Sequence, residues 1–168
     1  MSAIERVPES SNVQNGARRL LPEFQILLVE DDPGEARLFE LSLREAAPRT
    51  GVYWVCTGAE GLEYLRRQKR FQEAQPAHLI VCDLSLPGMD GFGFLAEVRR
   101  DPSLKGIPVV VYSSSEDPKG IQRAYLLGAN SYIVKPMTLE TTAGHLEALV
   151  HYWLEVVALP DRCRPVAT

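Results

Sequence analysis

The stretch AHLIVCDLSLPGMDG, residues 77–91, opens with an almost wholly apolar run and turns polar at Asp83. A short run this apolar is typical of a strand that helices cover on both faces, as in a parallel sheet. A similar run, IPVVVY at 107–112, follows along the chain. The segment between the two runs has room for one helix, so the sequence predicts a βα repeat.

Five such runs alternate with longer amphipathic segments. The predicted strands are FQILLV 24–29, VYWVC 52–56, AHLIVC 77–82, IPVVVY 107–112 and NSYIV 130–134. The predicted helices, with apolar residues three and four apart, span 33–47, 58–71, 90–100, 116–127 and 138–158. We therefore expect an α/β fold: a doubly wound, flavodoxin-like parallel sheet of five strands in the order 2-1-3-4-5.

The chain divides into three parts. Residues 1–22 are rich in Ser, Asn, Glu and Arg and have neither helical nor strand periodicity, which predicts a disordered tail. The folded domain is expected to span 23–150, and 151–168 are expected to form a helical C-terminal arm. With 168 residues, 45% of them hydrophobic, the chain has room for one good core.

Composition excludes several kinds of partner. The net charge of −4 comes from interspersed acids and bases, so we expect no nucleic-acid ligand. No stretch is apolar for long enough to span a membrane, and the N-terminus lacks the apolar core of a signal peptide. Cys56, Cys82 and Cys163 lack metal or redox spacing, and the first two are interpreted as small buried residues. A cytoplasmic location is expected.

Polar residues stand where the predicted strands end. Glu30 and Asp31 follow the first strand, Asp83 the third, Ser113 the fourth and Lys135 the fifth. Strands one and three are neighbours in the expected order, so the three acids should converge. Carboxylates this close favour a cation, and an all-oxygen set suits Mg²⁺. The lysine and the hydroxyl supply what phosphoryl transfer needs, a fixed cation and a hydrogen-bond donor.

Two neighbouring residues have simpler interpretations. Asp32 is expected to cap the first helix, with Pro33 at its first position, and not to bind metal. Pro136 ends the fifth strand directly after Lys135 and could hold a cis bond that aims the lysine inward.

Four segments together resemble the receiver domain of two-component response regulators. They are VEDDP at 29–33, CDLSLPGMDG at 82–91, VVVYSSS at 109–115 and GANSYIVKP at 128–136. They occur in the family's order and at its usual separations, and the resemblance covers 24 to about 150.

The resemblance implies an acceptor and a metal site. Asp83 would be the phosphoacceptor and, with Asp31 and the main-chain carbonyl of Ser85, a ligand of Mg²⁺. Glu30 would bind the metal through a water and stands where Asp is more usual.

The resemblance also implies a switch. Ser113 and Tyr132 would move on phosphorylation and remodel the face of helix four, strand five and helix five, while Lys135 would bind a phosphoryl oxygen. Ser85 and Ser115 occupy the two positions that tune hydrolysis of the acyl phosphate.

The C-terminus is more apolar than one receiver needs. One helical stripe comprises Leu146, Leu149, Val150, Trp153, Leu154 and Val157, and a second comprises Tyr152, Val156 and Leu159. The ending YWLEVVALP resembles extended receivers that work with phytochrome-type histidine kinases, many of which dimerise through this arm. We therefore expect a homodimer with contacts from Tyr152, Trp153, Val156, Val157 and Leu159.

The function implied is that of a single-domain response regulator. It would take a phosphoryl group from a histidine kinase, such as a bacteriophytochrome, and catalyse only its own phosphorylation and dephosphorylation. The alternative is an unphosphorylated pseudo-receiver that serves as a binding or dimerisation module. A haloacid-dehalogenase hydrolase is disfavoured, because it needs a second acid where this chain has Ser85.

Overall fold

Five parallel strands form a single sheet with helices on both faces. The computed structural model describes residues 22–160, so the predicted tail and the end of the arm, with Cys163, lie outside the described residues. The strands are β1 Phe24–Val29, β2 Thr50–Val55, β3 Leu79–Cys82, β4 Val109–Ser113 and β5 Ser131–Val134. Their order is β2-β1-β3-β4-β5, which confirms the predicted topology.

Each of the five main helices begins at a capping side chain that accepts a backbone N–H from the first turn. The helices are α1 Pro33–Ala46, α2 Gly58–Leu65, α3 Gly91–Arg100, α4 Pro118–Leu126 and α5 Leu139–His151. The caps are Asp32, Thr57, Asp90, Asp117 and Thr138. The expected capping role of Asp32, with Pro33 in the first turn, is confirmed.

The predicted second helix, 58–71, is too long. The helix ends at Leu65, and a separate 3₁₀ turn spans Lys69–Phe71. Arg67 and Lys69 each have a φ of 51°, in the left-handed region that interrupts a right-handed helix. Phe71 is 1% exposed, so its apolar spacing reflected core packing and not a continuous helix.

The predicted fifth helix, 138–158, is also too long. The α-helix ends at His151, a single π-helical turn spans Tyr152–Val156, and Val157 is extended.

The described part of the chain has no helix long and apolar enough to cross a membrane.

The core has two layers because successive strand side chains point to opposite faces. β1, β3 and β4 are buried along their whole length. On one face the strands pack against α2 and α3, through Leu62, Phe94, Leu95 and Val98. On the other they pack against α1 and α5, through Phe39, Leu43, Leu146 and Leu149.

The two cysteines inside the described residues differ in environment. Cys82, the last residue of β3, is 1% exposed, as expected. Cys56 is exposed, so its interpretation as a buried residue is wrong. It follows β2, an edge strand of the sheet, and lies directly before Thr57, the cap of α2.

The C-terminal stripes separate into a packed side and an exposed side. The first stripe packs on the core beside α1: Leu146, Leu149 and Val150 are buried, and Trp153, Leu154 and Val157 are partly buried. In the second stripe Tyr152 is 50% and Val156 60% exposed. Leu159 departs from that stripe, because the chain becomes extended at Val157 and Leu159 packs on this chain's own core at 8% exposure.

Candidate functional site

The acidic residues meet because β1 and β3 are adjacent and in register. Val29 pairs with Cys82 at the ends of the two strands, and the Asp83 N–H donates to the Val29 carbonyl at 3.0 Å. One carboxylate oxygen each of Glu30, Asp31 and Asp83 lie within 4.8 Å of one another. The predicted convergence of these three acids is therefore confirmed.

The donor set fits a hard divalent cation. Glu30 and Asp83 are 3% and 6% exposed, whereas Asp31 is exposed and leaves one side open to water. Two buried carboxylates this close repel each other strongly unless positive charge is near. In proteins such cations are bound by oxygen ligands and usually keep some of their water molecules on the open side of the site.

Asp83 is held by its own loop and by the lysine. Its Oδ1 accepts the Leu84 N–H at 2.6 Å and the Ser85 N–H at 3.4 Å, and its Oδ2 accepts from Lys135 Nζ at 2.9 Å. These bonds place the Ser85 backbone beside the carboxylate, and metal binding by the Ser85 carbonyl stays a prediction.

Gly91 allows the loop that carries Asp83 to approach α3. A Cβ at this position would lie 2.2 Å from the Asp83 carbonyl oxygen and 2.7 Å from the Leu84 Cα. No side chain fits between these backbone atoms, so the Asp90-Gly91 pair lets α3 begin directly against the acceptor loop.

Lys135 lies among three carboxylates. Its Nζ donates to Glu30 Oε2 at 2.7 Å and to Asp83 Oδ2 at 2.9 Å, and it also pairs with Glu35. Burial by itself lowers the pKa of Lys135, but hydrogen bonds to the three acids outweigh it and raise the pKa above its ordinary value. The Lys135–Pro136 peptide bond, whose isomer the sequence leaves open, is trans.

Glu35 was not singled out by the sequence. It lies in the first turn of α1, close in sequence to Glu30 and Asp31. That proximity is the only signal in the sequence, and it is common to many solvent-exposed acids.

Glu30 has an unusual environment for a carboxylate. Burial raises its pKa to about 7, against the lowering effect of Lys135. Its Oε1 accepts the Asp32 N–H at 3.1 Å, and its backbone carbonyl accepts from Trp54 Nε1 at 2.7 Å. Trp54 on β2 is therefore an intrinsic reporter beside the acidic cluster.

The predicted switch residues are joined through Ser115. Ser113 is fully buried at the end of β4 and its Oγ accepts the Ser115 N–H at 3.4 Å. Tyr132 is partly buried, its hydroxyl donates to the Ser115 carbonyl at 2.8 Å, and its N–H donates to the Tyr125 hydroxyl at 3.1 Å. Among the described residues no hydrogen bond joins Ser113 or Tyr132 to the carboxylates.

Comparison with known proteins gives the family of this chain. Residues 26–147 match the family model described as the response regulator receiver domain. Response regulator Rcp1 of Synechocystis sp. is 32% identical over 139 residues, which cover 83% of this chain and 95% of Rcp1. The chain therefore belongs to the response regulator receiver family.

Solved structures place it near phytochrome response regulators. The phosphorylated cyanobacterial phytochrome response regulator RcpA matches with a TM-score of 0.78 and 36% identity, over 82% of this chain and 99% of RcpA. The Mn²⁺-bound form of Rcp1 matches with a TM-score of 0.76 and 32% identity, over 82% of this chain and 99% of Rcp1. The bacteriophytochrome response regulator RtBRR matches with a TM-score of 0.65 and 32% identity, over 83% of this chain and 86% of RtBRR.

Proposed function

We propose that this protein is a single-domain response regulator that accepts a phosphoryl group on Asp83 from the phosphohistidine of a histidine kinase. The observation that most strongly supports the proposal is the environment of the Asp83 carboxylate. Its nearly buried carboxylate is fixed by the Leu84 N–H and Lys135, beside Glu30 and Asp31. Phosphoryl transfer depends mainly on this kind of positioning and charge.

The transfer needs few protein groups. One Asp83 carboxylate oxygen attacks the phosphorus, the P–N bond to the kinase histidine breaks, and the imidazole leaves and takes up a proton. Lys135 donates an N–H to a phosphoryl oxygen during the transfer. Hydrolysis reverses the modification when water attacks the phosphorus and releases inorganic phosphate and the free carboxylate. No external substrate is turned over.

The metal in this proposal is Mg²⁺. Asp31 and Asp83 would hold it with the Ser85 carbonyl, and Glu30 would do so through a water. When bound, it would neutralise negative charge on the phosphoryl oxygens. The relative Rcp1 has a Mn²⁺-bound form, which supports the proposal that this chain binds a divalent metal.

The output would arise at β4 and β5. A phosphoryl oxygen on Asp83 would attract the Ser113 hydroxyl, which would loosen the loop that holds the Ser115 carbonyl. Tyr132 would then lose its bond to that carbonyl and rotate inward, which would change the face formed by α4, β5 and α5.

The partner we infer is a phytochrome-type histidine kinase, on the strength of the similarity to RcpA and RtBRR. A homodimer through the arm is part of the same proposal, supported by the exposed apolar side chains of Tyr152 and Val156. So is a cytoplasmic location, because the thiols of Cys56 and Cys82 are free.

Phosphorylation by acetyl phosphate tests this function. Wild type, Asp83→Asn and Asp32→Asn would be incubated with acetyl phosphate and Mg²⁺, and their intact masses would be measured by mass spectrometry. We expect one phosphoryl adduct on wild type, none with EDTA, and none on Asp83→Asn. Asp32→Asn is the matched control, because Asp32 caps α1 and Asn caps equally well, so it should be labelled. No adduct on wild type, while a control receiver is labelled, would favour the pseudo-receiver.

A further inference from the structure

Glu35 contacts the phosphorylation site from outside the acidic cluster. Its backbone N–H donates to Asp32 Oδ1 at 2.8 Å, which fixes its place in the first turn of α1. Its side chain is 48% exposed and reaches Lys135, whose own side chain is only 10% exposed. The contact therefore lies at the outer rim of the site, on the solvent side of the lysine.

The ammonium of Lys135 has three N–H donors, and three acids receive them. Glu30 and Asp83 belong to the cluster that could hold a metal, and Glu35 does not. A bound cation would compete with Lys135 for the first two acids. Glu35 is the acceptor that stays with the lysine in either case.

We propose that Glu35 is a positioning residue that holds the Lys135 ammonium toward the rim and weakens the positive field that an arriving phosphoryl group meets at Asp83. The inference rests on the function proposed above. Glu35 therefore acts as a brake, because its carboxylate offsets part of the charge of Lys135 and takes no part in the transfer.

The negative charge of Glu35 has opposite effects on the two ligands of the site: it disfavours the phosphoryl group and favours a divalent cation. A phosphoryl group brings negative charge, so removing the Glu35 charge favours its arrival. A divalent cation is attracted by every nearby carboxylate, so removing the same charge weakens its binding. A residue that only supported the local fold would impair both when it is replaced.

Glu35→Gln tests this difference. The amide keeps the shape of the side chain, and the backbone bond to Asp32 is unaffected. The matched control is Glu40→Gln, on the same helix, where the carboxylate is paired with Arg37 at 3.2 Å and away from the site. Mg²⁺ affinity would be read from Trp54 fluorescence in a Trp153→Phe background, and the adduct rate from intact mass at saturating Mg²⁺ and low acetyl phosphate.

We expect Glu35→Gln to be phosphorylated several-fold faster than wild type and to bind Mg²⁺ more weakly, with Glu40→Gln like wild type in both. A rate equal to or below that of wild type would overturn the brake. Labelling of wild type itself reports on the proposed function, so failure of the function and failure of the brake give different results.

Discussion

At the scale of single residues, the stability of the site depends on the balance between its buried carboxylates and the positive charge of Lys135. Lys135 contacts Glu30 and Asp83 where both acids are nearly buried, and the pKa of Glu30 is raised to about 7 from an ordinary value of 4.5, mainly by burial. A carboxyl with a raised pKa holds its proton more tightly in the folded state than in the unfolded chain. In the absence of metal, its contribution to stability is therefore lost as the pH rises from about 4.5 through 7.

This linkage predicts a pH-dependent difference between wild type and Glu30→Gln. The amide cannot ionise, so in EDTA the free energy of unfolding of wild type should fall, relative to the variant, between about pH 5 and pH 7.5. Urea unfolding followed by circular dichroism at several pH values measures it. A wild-type-minus-variant difference that stays constant with pH would contradict the raised pKa.

The residues of the site that the sequence could predict are those that follow strands. Asp83 and Lys135 come directly after apolar runs, and Asp31 comes one residue later. Parallel strands end at one edge of the sheet, so the convergence of these residues follows from topology. Glu35 could not be predicted, because only the tertiary fold brings Lys135, just after β5, to the first turn of α1. Cys56 was misjudged because its apolar neighbours in the strand do not show that the chain leaves the core directly after Val55.

At the scale of elements, the start of α3 sets the position of the acceptor loop. Gly91→Ala should lower the free energy of unfolding by about 2 kcal/mol, because the new Cβ would meet the Asp83 carbonyl at 2.2 Å and force the loop to move. It should also slow labelling of Asp83. The measurement is urea unfolding together with the acetyl phosphate assay.

Gly144→Ala is the control for that substitution. Gly144 lies within α5, and a Cβ built there would meet no atom within 4 Å apart from the neighbouring backbone of its own helix. Alanine should therefore raise stability by about 0.5–1 kcal/mol through helix propensity alone. Equal effects of the two substitutions would show that the contact between α3 and the acceptor loop is unimportant.

The boundaries of two helices could not be predicted from apolar spacing. Phe71 continues the helical spacing of α2, yet Arg67 turns the chain into the left-handed region and Phe71 reaches the core from a separate 3₁₀ turn. At the other end, Leu159 packs on the core from extended chain. Burial sets the apolar pattern in both cases, and burial does not require a continuous helix.

At the scale of the whole molecule, the exposed side of the arm is a candidate contact surface. Tyr152 and Val156 remain exposed while Trp153 and Leu159 pack inward. If the arm joins two chains, Val156→Glu should dissociate the dimer without unfolding the monomer, because a charge would enter an apolar contact. Sedimentation equilibrium across a range of concentrations would measure the change.

Leu126→Glu is the comparison for that experiment, because Leu126 on α4 is 80% exposed and lies outside the arm. It should assemble like wild type. A monomeric Leu126→Glu together with a dimeric Val156→Glu would move the contact from the arm to α4.

The central claim is that Asp83 carries the phosphoryl group, and chemical trapping tests it most directly. Borohydride reduces an acyl phosphate on aspartate to homoserine, so the labelled protein would be reduced, digested and mapped by mass spectrometry. We predict homoserine at position 83 and aspartate or glutamate unchanged at positions 30, 31 and 32. Homoserine at any other position, or an adduct that yields none at position 83, would contradict the assignment.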